Sequence, residues 1–591
     1  MYNCHRRRVS AHGLKNLLIT TGAVFLFSAV SASAQVVLAP PTPQIGSSNT
    51  VSADPPVPRP HTKPCTVQLF QNEEFADFNI KNFNYTPPAD CPGPWAKVVF
   101  TADFTVTAGN QFDRTAQFYL GGANIFFGTT AEPRAALSPS WHVENDLTDL
   151  SAIFKTAQAG TAILGNFVGV SGGQTFNGII FANAALQFYP ASFSDPAPPV
   201  PDMVIGLPGN NGADSLNTTT DQLSQTIAFP ANVEKAYLDI ISQSQGNDEF
   251  WYFCVPNDIA STVQECGNTG FRETEVSIDG QPAGVAPVYP WVYTGGDDVD
   301  LWFPIPGVQT LNFKPYRVDL TPFAGLLSNG QPHTVAISVF NADSSFSDTA
   351  NLLLFTDHHA KKVTGGILSN NLAAEPSPVI TEKITTGAGG SFSGPVVVTS
   401  KRNFSITGYV NTSHGRVETT VSQNMDFSSN QNLVNNATTF IEDLTQATTV
   451  HAQTITRNGF LVSNEEKDFS YPFTFNINET TNADGTIQLQ TTADQKYLVN
   501  TATNLGGLPV FVSNTSNHVA TQDTEQINAA GTALLSSTQN SSQTYNTNNS
   551  LGYCYSDTLT SANLKLTADT KGKSCPDHDH GFGGHPWSLQ W

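Results

Sequence analysis

The chain is short of charge, and shortest of positive charge. Of its 591 residues 13% are charged; 27 are Lys or Arg against 49 Asp or Glu, which leaves a net charge of −22. So few cations exclude the basic surface that phosphate binding needs, and no nucleic acid is expected as a partner. A low density of ionisable groups leaves few carboxylates to be protonated inside the fold, which suits acidic surroundings. Long apolar runs are missing too. Past Val30 none approaches the roughly 20 residues of a spanning helix, so no membrane is expected as a partner of the mature chain. None of the seven cysteines stands in the CxxC spacing of a zinc site. Helical periodicity is scarce as well.

What remains has the order of an exported β protein. Arg6, Arg7 and Arg8 precede an apolar run from Leu17 to Val30, and Ala32-Ser33-Ala34 offers a cleavage site, so residues 1–34 read as a secretory signal and the mature chain as secreted or periplasmic. Residues 35–64 are rich in Pro, Ser and Thr and read as a disordered leader. Asp195–Pro201 reads as a stiff connector. Cys4 leaves with the signal. The other six form close couples, Cys65 with Cys91, Cys254 with Cys266 and Cys554 with Cys575, and in an exported chain these local pairs are the expected disulfides.

Between the breaks the apolar period is two. Val98, Phe100, Ala102 and Phe104 alternate with polar residues; Tyr471, Phe473, Phe475 and Ile477 do so before the Asp484-Gly485 turn. The class is all-β, with sandwich-sized segments at 65–195 and 202–363 and a further β domain at 370–591 ending in a cystine-stapled tail.

Gly246–Tyr252 is the most informative stretch. It sets Asp248 and Glu249 directly before Phe250, Trp251 and Tyr252, at the end of the strand-like run Lys235–Ile241. Acids beside large aromatics at a strand end suit a cleft that holds a polar ligand with a flat apolar face, as a sugar has. Surface acids above a core Trp would give the same pattern. Read with Thr129–Arg134, Phe271–Gly280, Pro290–Gly296, Tyr316–Phe323 and Gly408–Val410, in that order, the segment resembles the signature of the peptide:N-glycosidase A family, over roughly residues 65 to 500.

The resemblance implies two adjacent jelly-roll-like sandwiches with the site between them. It also implies an amidase that releases N-linked glycans from asparagine, tolerates core fucose and works in acid. Such chemistry needs an activated water, a held oxyanion and a protonated leaving group, and neither a metal nor another cofactor. Asp113, in Gln111–Leu120, resembles the essential carboxylate that follows an aromatic residue and precedes Arg in the distantly related peptide:N-glycosidase F; it would position or deprotonate the water. In a regular strand Arg114 would point the other way, as a structural residue or a substrate clamp. Glu132 lies in a loop that Pro133 holds extended, either aimed at substrate or paired with Arg134. Of Asp248 and Glu249, one is expected to face the cleft and the other a cation or backbone group. Asn247, Arg272 and one of Trp251 and Tyr252 are expected to hold the sugar. The second carboxylate of the distant relative is absent here, where Asn268, Thr269 and Gly270 precede Phe271; Glu249 or Glu265 would replace it.

Substrates on this reading are N-glycosylated peptides or glycoproteins, met by a monomer. The alternatives are a non-catalytic glycan-binding or adhesion protein and a two-carboxylate glycosidase. Asp357-His358-His359 and the tail histidines His578, His580 and His585 read as adventitious metal ligands.

Overall fold

The computed structural model describes residues 43–134 and 136–575. The expected signal at 1–34 and the tail histidines lie outside the described residues. Ten strands build the first body: β1 Cys65–Phe75, β2 Lys81–Tyr85, β3 Trp95–Val106, β4 Thr115–Leu120, β5 Ala123–Thr129, β6 Ser140–Asp146, β7 Gln158–Ile163, a small hairpin of β8 Gly169–Ser171 and β9 Gln174–Phe176, and β10 Ile180–Pro190. They form the sheets β1-β10-β3-β6 and β2-β7-β4-β5. With the hairpin set aside this is the antiparallel strand order of a jelly roll. The alternation in β3 buries Val98, Phe100, Ala102 and Phe104. Across the core Phe100 stacks on Phe126 of β5 at 5.7 Å and Phe104 on Phe118 of β4 at 6.0 Å.

The second body repeats the plan. Its strands are β11 Met203–Leu207, β12 Asp214–Leu216, β13 Leu223–Ala228, β14 Val233–Ser244, β15 Glu273–Ile278, β16 Gln281–Pro287, β17 Tyr316–Asp319, β18 Pro332–Val339 and β19 Phe346–Thr356. The sheets are β11-β19-β14-β17, with β12 also on β19, and β13-β18-β15-β16. Asp279 (φ 52°) and Gly280 (φ 76°) make the tight turn between β15 and β16. The two rolls meet along β5: Asn124 and Asn351 exchange hydrogen bonds of 3.0 and 2.8 Å, and the Thr129 amide donates to the Thr310 carbonyl at 2.9 Å.

From Thr364 onward the chain forms a single antiparallel sheet of 12 strands. Its long strands, Phe392–Thr412 through Leu534–Asn549, run 16 to 21 residues each. No second layer covers it among the described residues. One face alternates inward and mixes apolar residues such as Met425, Phe427 and Leu433 with polar ones such as Gln431 and Thr521; the other is exposed and rich in Asn, Thr and Ser. The inward face has no core of its own and shares one with the second roll. An aromatic seam joins them, with Tyr252 on Phe473 at 4.9 Å, Phe253 on Phe475 at 5.3 Å, Phe271 on Phe427 at 4.8 Å and Tyr289 on Tyr471 at 5.0 Å. The sheet is thus β structure, as expected, and it shares its core with the second roll. Close approach shapes it too: a Cβ on Gly408 would run into the Pro322 carbonyl.

Three disulfides, Cys65–Cys91, Cys254–Cys266 and Cys554–Cys575, match the expected pairs. The leader does not. Composition alone predicts disorder for 35–64, yet its described part is strapped across the molecule. Ala53 is buried and its amide donates to the Gln543 Oε1 at 2.7 Å; the Val51 amide reaches the Pro304 carbonyl at 2.9 Å; Arg59 pairs with Glu144 at 2.5 Å. Proline-rich backbone needs few partners of its own, so it can lie in a groove that others have built.

A chain cut back to residues 1–363 would bare the Tyr252–Phe271 side of the seam. It is expected to aggregate rather than fold, as read by circular dichroism and light scattering; a soluble, cooperatively melting product would contradict the shared core. Phe473→Ala in the full chain should cost about 3–5 kcal/mol. The pH dependence of stability should lean to acid. Burial raises Glu273 and Asp348 to about 8. Folded protein then binds more protons than unfolded between about pH 4 and 8, and stability falls as pH rises through that window. On the other side, hydrogen bonds from His142 and Arg59 overcome burial and hold Glu144 at about 2, so its contribution is lost only in strong acid. A melting temperature that climbs from pH 5 to pH 8 would contradict this.

Candidate functional site

The site forms where β4 begins, β5 ends and a loop of the second roll arrives. Regular strand starts only at Thr115, so Gln111–Arg114 is free to turn. Gln111 sets that turn. It is buried, its Nε2 donates to the Phe167 carbonyl (2.8 Å) and the Gly178 carbonyl (3.2 Å), and its Oε1 accepts from the Phe112 amide (3.0 Å) and from Arg114 Nη2 (2.7 Å). Arg114 is therefore not flung to the opposite face by strand alternation. It is half-buried, and both Asp113 and Glu132 act on it electrostatically.

Asp113 and Glu132 converge. A Cβ on Gly295 would fall on the Asp113 Oδ1 and the Glu132 Oε2 together, so only a glycine lets the loop pass beneath both carboxylates. Asp113 accepts a hydrogen bond from the Gly295 amide, but loss of water outweighs this bond and the Arg114 charge, and its carboxyl rises to about 6. Glu132 is aimed by its own backbone: its amide donates to Thr294 Oγ1 at 3.1 Å, and Thr294 Oγ1 donates to the Thr130 carbonyl at 2.8 Å. Arg134 has a partner on the second roll. It pairs with Asp300 and lies 4.7 Å over the Phe303 ring.

The Gly246 segment reaches the same junction by another route. β14 ends at Ser244, and Thr115 Oγ1 accepts from Gln243 Nε2 at 3.0 Å and from Gln245 Nε2 at 2.8 Å. Glu249 follows, half-buried. Tyr293 feels the charge of both Glu249 and Asp113. The Tyr293 hydroxyl donates to the Ser244 carbonyl at 2.6 Å, and burial keeps the phenol protonated, with Glu249 and Asp113 adding to the effect.

Two expectations fail here, the sugar contacts of Arg272 and of an aromatic at 251 or 252, and packing explains both. Asp248 and Arg272 are wholly buried and bound to each other, Nε at 3.0 Å and Nη2 at 2.8 Å. Arg272 also ties down the Thr269 carbonyl, and Asp248 the Asp343 amide. This pair staples three loops and meets no substrate. Trp251 and Tyr252 are fully buried, because that side of the turn plugs the seam to the large sheet rather than a sugar site. Of the adjacent acids, then, Asp248 took the cation and Glu249 the open side. Asn247 is exposed beside it, its amide donating to the Ser344 carbonyl at 2.5 Å. Glu265 follows the short helix Asn257–Val263, whose Val263 packs with Phe392, Val396 and Leu433 of the large sheet.

Sequence reasoning missed Gln111, Gln243, Tyr293, Thr294 and Gly295. Pro290–Gly296 stood out as a motif but carried no titratable acid to attract a role. Asp357 is a latch, accepting from the Ser413 hydroxyl and amide, and His358 pairs with Asp202. A large cavity of 1410 Å³ lies elsewhere, under the leader strap, and neither Asp113, Glu132 nor Glu249 lines it.

Residues 55–372 match the family described as peptide N-acetyl-beta-D-glucosaminyl asparaginase amidase A, and residues 396–473 match the PNGase_A C-terminal domain. A protein of Prunus dulcis named peptide-N4-(N-acetyl-beta-glucosaminyl)asparagine amidase A is 30% identical over 412 residues, 66% of this chain and 70% of that one. Among solved structures, PNGF-II aligns at 13% identity and TM-score 0.34, over 50% of this chain and 66% of its own. PNGase F, described as a glycosylasparaginase from Flavobacterium meningosepticum, aligns at 12% and 0.32, over 50% and 96%. Likeness at that level carries no residue across.

Gly295→Ala puts a methyl group where two carboxylates meet. It should lower turnover by about two orders of magnitude or more, while the circular dichroism spectrum and melting temperature stay close to those of the parent. Full turnover in this variant would remove the Asp113–Glu132 junction from the chemistry.

Proposed function

This chain belongs to the peptide N-acetyl-beta-D-glucosaminyl asparaginase amidase A family and is a peptide-N4-(N-acetyl-beta-glucosaminyl)asparagine amidase; from that premise we propose that Asp113 and Glu132 form its acid–base pair. The bond cut joins the innermost N-acetylglucosamine to asparagine, in N-glycosylated peptides or glycoproteins. The observation that supports this reading is the meeting of the two carboxylates over Gly295, at the junction of the rolls.

In the proposed reaction a water gives its proton to Asp113 as its oxygen bonds to the side-chain amide carbon. Arg114 offsets the negative charge that builds in the site. Glu132 delivers a proton to the departing nitrogen, the carbon–nitrogen bond breaks, and the products are aspartate and the glycosylamine. Glu249 and Asn247 face the first sugar. Tyr293 acts as a positioning residue. We read the chain as secreted, on its three disulfides, and as acting as a monomer.

Asp113→Asn keeps the shape and removes the base, so turnover should fall by about two orders of magnitude or more with little change in stability. Glu132→Gln and Glu249→Gln should each cut turnover as well; full activity and affinity in both would put the cleft elsewhere. With a carboxyl raised to about 6, the rate at limiting substrate should drop on the acid side with a midpoint near that pH. A profile flat down to pH 4 would instead make Asp113 the proton donor. Product mass separates the reaction classes. An amidase leaves aspartate in the peptide, a two-carboxylate glycosidase leaves a sugar stub on asparagine, and a glycan-binding protein leaves the substrate unchanged.

A further inference from the structure

A small β arm rises beside the site and belongs to neither sheet of the first roll. Among the described residues β8 and β9 pair only with each other. Both feet of the arm are held at the turn that carries Asp113. Gln111 Nε2 donates to the Phe167 carbonyl at 2.8 Å and to the Gly178 carbonyl at 3.2 Å, and the buried Asn166 donates to the same Gly178 carbonyl at 3.1 Å. Phe176 of β9 packs on Phe112, the neighbour of Asp113, at 5.2 Å and on Phe167 at 6.0 Å. Gly178 also lies against the Glu132 loop: a Cβ there would stand 3.2 Å from the Pro133 ring. Gly172 (φ 58°) and Gly173 (φ 80°) close the arm in a two-residue loop, which makes Ser171 and Gln174 a hydrogen-bonded pair and Val170 and Thr175 the next, non-bonded one. The peptide groups of that second pair point out of the ribbon. On the β9 side Asn110 Nδ2 takes the Thr175 carbonyl at 3.1 Å. On the β8 side no strand follows, so the Val170 N–H and C=O stand at an open edge. Around that edge the surface is apolar. Val170 is 69% exposed and Val168 37%, and Phe78, whose ring lies over Gly165, is 69% exposed. No residue from Gly165 to Gly178 is charged.

We propose that the open edge of β8 takes the polypeptide of the glycosylated substrate as a third strand, beside the Asp113–Glu132 junction. This rests on the reading of that junction as the place where the amide is cut. An open edge offers a donor and an acceptor at alternate residues, and an extended peptide backbone meets them in register where sugar hydroxyls do not. The lack of charge on the arm leaves recognition to backbone hydrogen bonds, and Val168, Val170 and Phe78 suit apolar side chains of the bound strand. A two-stranded ribbon is marginal by itself and gains from a third strand. The roots on Gln111 and beside Pro133 tie the course of that strand to the two acids. The sugar is then met by Asn247 and Glu249 of the second roll, and the polypeptide by the arm of the first. The arm takes no part in the bond-breaking step; it sets how strongly binding depends on the residues around the asparagine.

The test uses the full-length protein and two substrates with one and the same glycan: a glycopeptide with several residues on each side of the asparagine, and glycosyl-asparagine with both ends blocked. Val170→Pro removes the outward N–H without touching the ladder. It should raise KM for the glycopeptide about tenfold, the worth of one or two hydrogen bonds, while kcat on the glycopeptide, both constants on the blocked glycosyl-asparagine and the melting temperature stay at parental values. With the parent protein, N-methylation of successive residues beside the asparagine should weaken glycopeptide binding at alternate positions only. Equal losses on both substrates would make the arm a mere support of Gln111, and no loss on either would free it of the substrate; each overturns the proposal. The methylated series needs no variant, and loss at every position, or at none, overturns it too. So does a parent that is dimeric by light scattering and turns monomeric as Val170→Pro, because a second copy would then cover the edge. A parent inactive on both substrates sinks the reading of the junction itself, and this proposal with it.

Discussion

The large C-terminal sheet is a single layer with one inward face, and the rest of the structure depends on that. A single layer must bury that face against another body. Here the partner is the second roll, through Tyr252, Phe253, Phe271 and Tyr289. The same contact holds the Pro290–Trp302 loop from behind. Gln495 of the sheet donates to the Pro290 carbonyl at 2.6 Å and accepts from the Val308 amide at 2.7 Å, and Thr521 holds Leu301. With its back fixed, the front of the loop meets the first roll, where Thr294 and Gly295 touch Glu132 and Asp113. The site is thus carried by three bodies, although its candidate acids come from two.

This arrangement gives geometric precision. Asp113 is held by the turn that Gln111 locks, Glu132 by the Thr294–Thr130 relay, and the space between them by the absence of a Cβ at Gly295. Partial burial sets the electrostatics: enough water is lost to raise Asp113, and Arg114 is near enough to keep the rise moderate. Buried acids such as Glu273 and Asp348 extend that pattern through the second roll and favour the folded state in mild acid.

Much of the fold was legible in the sequence. Period-two patterning marked β3 and the Tyr471–Ile477 strand, Asp484-Gly485 marked a hairpin turn, and cysteine spacing marked the three bonds. What patterning could not tell was which body an apolar face would meet. The run Phe250–Tyr252 looked like a sugar platform because sequence shows that aromatics are present and not what lies against them; Phe473 and Phe475, more than 200 residues away, cover them. Arg272 was read as a substrate group for the same reason; Asp248, 24 residues before it in sequence, holds it in one buried ion pair in space. Asp113 and Glu132 stood out as candidates through resemblance and local chemistry, but their meeting over a glycine of the second roll was not legible. The leader was misread because its composition cannot build a core, while its neighbours could supply one.

The central claim is that the Asp113–Glu132 junction over Gly295 holds the scissile bond. The most direct measurement is a crystal structure of the Asp113→Asn protein with a chitobiosyl-asparagine peptide. The account predicts the glycosylated amide above Gly295, within hydrogen-bond reach of residues 113 and 132, with the first sugar toward Glu249. A ligand lodged in the cavity under the leader strap, with the Gly295 junction vacant, would contradict it.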